Sequence, residues 1–119
     1  MSLGYVQLQR GRYPEAERNV REALQRYEKT TPDIWQRYNC ESLLGATFAS
    51  QHKFSIAEPL LISGYNGLLQ RLPAIPAGDR PVVDEAGHRL VKLYEDTNNP
   101  SRAEEWKRKL ASPEKKRSS

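Results

Sequence analysis

Residues 12–24, RYPEAERNVREAL, are echoed by residues 53–65, KFSIAEPLLISGY, 41 positions further on, and no other feature of the chain restricts its fold as strongly. At that shift Leu3 falls on Leu44, Gly4 on Gly45, Tyr13 on Phe54, Ala16 on Ala57, Glu17 on Glu58, Val20 on Leu61 and Leu24 on Tyr65. A further shift of 46 carries Leu44 to Leu90, Phe48 to Tyr94, Ala57 to Ala103, Glu58 to Glu104 and Leu60 to Trp106, a more worn copy. Small and aromatic residues recurring at fixed offsets with such a period are how stacked helix pairs appear in sequence. One pair leaves an apolar face that only a neighbouring pair can cover. The chain is therefore expected to be all-α, built of antiparallel helix pairs in about three copies, the first of them truncated.

Local signals agree. Pro14 suits the first position of a helix, where its missing N–H costs nothing, and Gly11 lies in the turn before it. Thr31 is placed to cap a helix opened by Pro32. Ser55 with Glu58, and Ser101 with Glu104, have capping-box spacing. Pro59 falls in or just past a first turn, where it can bend the chain, and Pro100 can open the last helix behind Asn99. Helices are predicted over 2–10, 14–29, 32–51, 55–71, 81–97 and 100–111.

Helices approach closely only where side chains are small, so Gly45 with Ala57, and Gly4 with Ala16, are expected at helix contacts. Tyr13 or Phe54, Val20 or Leu61, and Phe48 or Tyr94 then fill the space around them, with Ala103 repeating the small position in the third copy. The resulting organisation is one domain over 1–111: a truncated copy at 1–30, a second at 31–72, a proline-rich loop at 73–80 and a degenerate copy at 81–111. A disordered basic tail follows at 112–119. In the loop QRLPAIPAGDRP the prolines and glycine oppose a helix, and Ile75 is expected to tuck against the stack.

The repeated pattern resembles the tetratricopeptide repeat, a helix-turn-helix unit of about 34 residues with the signature W-x2-L-G-x2-Y, then A-x3-F, then A and P. In LLGATFASQHKFSIAEPLLISGY the leucine and glycine are Leu44 and Gly45, the aromatic is Phe48, the first Ala is Ala57, and Leu61 stands for the second aromatic, with Gly64 replacing the later Ala. The first copy carries Leu3, Gly4, Ala16, Val20 and Ala23 but Gln7 at the aromatic position; the third carries Val91 for the glycine and Lys107 for the second aromatic. The longer period and the wording AEPLL are similar to the kinesin-light-chain-type variant, and residues 42–110 are similar to the carboxyl-terminal repeat arrays of large bacterial Ser/Thr protein kinases. The resemblance implies a short right-handed superhelix that binds a protein or peptide on its concave face. The kinase itself is absent, since the chain has no Gly-rich loop, Val-Ala-Ile-Lys strand, His-Arg-Asp loop or Asp-Phe-Gly.

By that alignment the inner-face positions are Tyr5, Leu8 and Gln9 in the first copy, Asn39, Ser42, Ala46 and Ser50 in the second, and Glu85, His88, Lys92 and Glu95 in the third. Co-chaperone members of the family clamp a terminal carboxylate with Lys, Arg and Asn at such places; here Ser42 and Ala46 occupy two of them and only Arg89 is retained, so no chaperone-tail clamp is expected. The alternative is a spacer or capping segment of a longer solenoid, for which the polar last helix SRAEEWKRKL is suited, with Trp106 anchoring it inward. Met1 lies so close to Gly4 that the first helix is expected to be short and its apolar end open, to upstream repeats or to self-association through Leu3 and Leu8.

Other functions find little support. The net charge is +4, but acidic and basic residues alternate through PEAERNVREALQRYEK, and without Lys115, Lys116 and Arg117 it would be about +1. Nucleic-acid binding is not expected. No apolar run approaches the ~18 residues of a spanning helix and no signal peptide is evident, so a cytoplasmic protein without a membrane partner is expected. The single Cys40 has no partner for a disulfide or metal site, His52 and His88 stand far apart, and adjacent Glu95 and Asp96 point in different helical directions. No enzyme activity, metal or cofactor is expected.

Overall fold

The described helices begin at prolines or aromatics, and two of them end in a turn with a left-handed residue. The computed structural model describes residues 13–111. It contains α1 (Tyr13–Thr30), α2 (Trp35–Ser50), α3 (Phe54–Gln70), α4 (Pro81–Asp96) and α5 (Pro100–Leu110), with short 3-10 turns at Leu72–Ala74 and Ala77–Asp79. Among the described residues there is no strand. The helix expected at 2–10, with Leu3, Gly4, Tyr5, Leu8 and Gln9, lies outside the described residues, as do the tail at 112–119 and the side chain of Ala16.

The turns within the two complete pairs are copies of one another. His52 and Asn98 both adopt positive φ, 62° and 57°. They stand 46 positions apart, the same shift that relates the sequences. Each turn closes by the same backbone bonds: Lys53 N–H donates to the Phe48 carbonyl and Asn99 N–H to that of Tyr94, while His52 N–H donates to Ala49 and Asn98 N–H to Glu95. A left-handed residue followed by a bond back across the last turn satisfies carbonyls that a helix end leaves unpaired.

Helix caps differ from the sequence expectation in three places, although the last helix opens at Pro100 behind Asn99 as expected. α2 begins at Trp35, not at 32, and its N-cap Ile34 makes no side-chain bond, so Thr31 is no cap. Asp33 is instead fastened from afar, with Arg71 donating to its carbonyl at 2.8 Å and to its carboxylate at 2.9 Å. α3 begins at Phe54 with Lys53 at the cap position and no side-chain cap, so Ser55 and Glu58 form no capping box. Glu58 accepts from the Tyr94 hydroxyl at 2.7 Å instead. At α5 the cap is Asn99, whose side chain accepts from the Arg102 N–H at 3.3 Å, with Pro100 in the first turn; Ser101 lies two positions past the cap, so it and Glu104 form no capping box. Pro59 sits inside α3, where it brings no N–H to the carbonyl of Ser55 four residues earlier.

The pairing is antiparallel throughout. Between α1 and α2, Glu17 meets Gln51, Arg21 lies over Phe48, and Glu28 faces Arg37, so one numbering rises as the other falls. Between α2 and α3, Gly45 lies against Ala57 and Leu61, Ser42 against Gly64, and Tyr38 against Gly67. These glycines let two backbones approach where any side chain would hold them apart. Between α4 and α5, Arg102 lies over Tyr94, and Gly87 sits beneath Leu110. The two pairs join where Tyr94 reaches Glu58, Arg89 reaches Ser42, and Tyr65 meets the edge of Trp106 at 5.0 Å and 87°. Such an aromatic contact adds roughly 0.5–1.5 kcal/mol beyond area burial.

Of the described residues expected at repeat contacts, Val20, Gly45, Phe48, Ala57, Leu61, Tyr94 and Ala103 are buried and Phe54 is half-buried. Trp106 packs inward at 6% exposure, and Ile75 tucks under the connecting loop at 1%. Arg80 closes that loop by donating to the Ile75 carbonyl at 3.1 Å.

Candidate functional site

Two surfaces of α2 point away from each other. At 3.6 residues per turn, Asn39, Ala46 and Ser50 lie on the side opposite Glu41, Leu44 and Phe48.

The first surface holds the inner-face residues predicted from sequence. Ser42 is fully buried and not open to a partner: the Arg89 guanidinium covers it, donating to its hydroxyl at 2.9 Å. Asn39 and Ala46 are half-buried and Ser50 is exposed. On α4, Glu85, His88, Lys92 and Glu95 are exposed along one ridge. Most of its charges are engaged within the chain. Glu85 pairs with Arg89 at 3.9 Å, Lys92 with Asp96 at 3.1 Å, and Glu95 with Lys107 of α5 at 3.2 Å. Tyr5, Leu8 and Gln9 lie outside the described residues.

The second surface was not anticipated. α1, α2 and α3 leave an open groove of about 750 Å³ between them. α1 contributes Glu17 and Arg21, one turn apart; α2 contributes Glu41, Leu44 and Phe48; α3 contributes Ile56, Pro59, Leu60 and Ser63, with Lys53 at its entrance. The α3 residues recur at i, i+3, i+4 and i+7, a stripe beside the one formed by Ala57, Leu61, Gly64, Tyr65 and Leu68 that faces the core. Helix α3 thus has a second, largely apolar edge. Ile56 is 50% exposed, and among the described residues no other large hydrophobic side chain is classed as exposed. A visible signal was Ile56 itself, an apolar residue directly before core Ala57 and out of phase with it.

The polar groups of the groove are unevenly committed. The Glu41 carboxylate accepts from the Ser63 hydroxyl and lies 3.5 Å from Arg37, so it enters already neutralised. Glu17 is shared by Arg21 at 3.3 Å and the Gln51 amide at 3.5 Å. The Arg21 guanidinium and Lys53 ammonium stand over the Phe48 ring, at 5.5 and 5.8 Å from its centroid. A cation held over an aromatic face is fixed in position without losing its charge.

Catalytic groups do not converge here. Cys40 is fully buried, and burial pushes its thiol pKa up to about 12, so it is neutral and inert. Among the described residues no group of three or more His, Cys, Asp or Glu could hold a metal ion, and no helix is long and apolar enough to cross a membrane. No protein-family model, curated protein or solved structure matches the chain.

Proposed function

We propose that the chain is a protein-interaction module that binds a peptide or protein partner, its helix pairs stacking as a short tetratricopeptide-type superhelix. The observation that carries this reading is the groove, open to solvent, whose apolar wall of Leu44, Phe48, Ile56, Pro59 and Leu60 is edged by the polar side chains of Glu17, Arg21, Glu41, Lys53 and Ser63. Its volume falls within the ~300–1,000 Å³ of sites that seat small ligands or a few side chains. Of the two surfaces the groove is the better partner site, because the α2–α4 ridge has spent most of its charges on itself. Copied turns at His52 and Asn98 support the repeat architecture, and the wording of residues 42–110 supports a place at the carboxyl-terminal end of a larger bacterial signalling protein, such as a cytoplasmic Ser/Thr kinase. The module is not an enzyme in this reading, and takes neither nucleic acid, membrane nor cofactor.

A second reading, a spacer or cap of a longer solenoid, draws on α5: only Ala103 and Trp106 of that helix are buried, Leu110 is half-buried, and most of the rest is polar and exposed. Selection from a random peptide display library separates the two. The module selects peptides whose binding is lost on Ile56→Asp and retained on Lys92→Glu. A chain that selects no peptide at all is a spacer, and one whose peptides respond to Lys92→Glu alone binds on the α2–α4 face.

A further inference from the structure

The groove is not electrically symmetric, and the asymmetry specifies what it takes. At the Glu41 end the carboxylate is met by Arg37 and Ser63. At the Phe48 end stand two cations, and Glu17 answers only Arg21. Lys53 has no carboxylate within ion-pair distance among the described residues; its contact is the Phe48 ring. One positive charge is therefore left over, beside the apolar wall of Leu44, Ile56 and Leu60.

Resting on the interaction-module reading, we infer that the groove takes a peptide segment of a protein partner in which an apolar side chain lies next to a carboxylate. The apolar group seats against Ile56 and Leu44, and the Asp or Glu reaches Lys53, with Arg21 beside it. Two features make this end receptive. The Lys53 ammonium already stands over Phe48, so less of its side-chain freedom remains to be lost on binding. The nearest like charge, Glu17, is already paired with Arg21 and bound by the Gln51 amide, which weakens its repulsion of an arriving carboxylate. A basic segment, by contrast, brings its charge against Lys53 and gains only carboxylates that are already paired. Complementarity of this kind sets partner choice and association rate more than raw affinity, and it weakens as salt rises.

The test selects peptides from a random display library on the whole chain, then measures the selected peptides by fluorescence anisotropy on wild type, Ile56→Asp, Lys53→Met and Lys53→Glu. Circular dichroism confirms that each variant is folded; Lys53 is exposed and its side chain caps nothing, so its replacement leaves the helices intact. Peptides carrying an apolar residue beside Asp or Glu are expected. Their affinity falls about fivefold on Lys53→Met, the scale of one exposed ion pair, and further on Lys53→Glu. Selection on Lys53→Glu enriches Lys or Arg at the same place. The inference is overturned, with the module reading left standing, by Ile56-dependent peptides that lack an acidic residue or ignore both Lys53 variants. A library that yields no Ile56-dependent peptide overturns the inference and the groove assignment together.

Discussion

Replacing Gly64 by Ala tests the seam between α2 and α3 more sharply than any core truncation, because two effects of opposite sign compete there. In an open helix the change would stabilise by about 1 kcal/mol, since glycine is the poorer helix former. Here an added Cβ would stand 2.7 Å from the Ser42 nitrogen, 2.8 Å from the Ser42 Cβ and 2.8 Å from the Tyr38 carbonyl oxygen. Carbon atoms in contact settle at roughly 3.5–4.0 Å, so the helices must part by about 1 Å. Two of the three obstacles are backbone, which cannot rotate aside. Overpacking costs about 1–3 kcal/mol, and the rigid neighbours put this site at the upper end, for a net loss of about 2 kcal/mol after the propensity gain. In a chain of this size that lowers Tm by about 6–12 °C. Urea and thermal melts followed by far-UV circular dichroism measure it, with an unchanged urea slope showing that the same surface is still exposed on unfolding. Gly78→Ala is the control, since nothing lies within 4 Å of its added Cβ, and it should be neutral or slightly stabilising. Gly87→Ala meets only the Leu110 side chain at the end of α5, which can swing away, and should cost far less than Gly64→Ala. A Gly64→Ala protein as stable as wild type would refute the close approach of Gly64 to Ser42.

Three further outcomes follow from the buried groups. Tyr65→Phe should be neutral or stabilising by up to about 1 kcal/mol, because Tyr65 is fully buried and its hydroxyl has no hydrogen-bond partner; a loss of stability in melts would show that the hydroxyl is satisfied. Cys40 should resist a thiol reagent in the native state and react on unfolding in urea; labelling at the rate of a free thiol would mean that it is not buried. Burial, with the Glu58 hydrogen bond and charge second, raises the Tyr94 phenol from 10.0 to about 12. The folded chain thus holds that proton longer than the unfolded one, so this group changes nothing below pH 10 and costs stability as pH rises from 10 to about 12; Tyr94→Phe should flatten that decline in melts across the alkaline range.

The packing scheme was legible in the sequence because it depends on residue size at fixed spacing. Gly45 against Ala57, Leu61 beneath them, and the aromatic pair Phe48 and Tyr94 at equivalent places could all be read from the two shifts. The helix starts were less legible, for a specific reason. A capping box is a local pattern, but Glu58 has a partner in Tyr94, 36 residues away, and the turn before α2 is held by Arg71, 38 residues from Asp33. Nothing within a few residues of Ser55 or Thr31 announces those contacts. The groove was missed because three helices build it. Its one local trace, the second stripe running through Ile56, Pro59, Leu60 and Ser63, reads as ordinary amphipathicity until the position of α1 is known. Ser42 was misplaced for the complementary reason, since its alignment puts it on an inner face while Arg89, from another pair, closes over it.

Pro59 gives the groove a property that its list of apolar side chains conceals. With no N–H at position 59, the carbonyl of Ser55, the residue before Ile56, lacks its usual helical donor in a helix whose proline lines the wall. Ser55 is exposed, so solvent can supply that donor in the free chain. A purely hydrocarbon guest would strip the water away and give nothing back, while a guest whose own backbone presents an amide hydrogen there replaces what it removes. A wall of this kind would favour the proposed polypeptide partner over an oily molecule of the same shape.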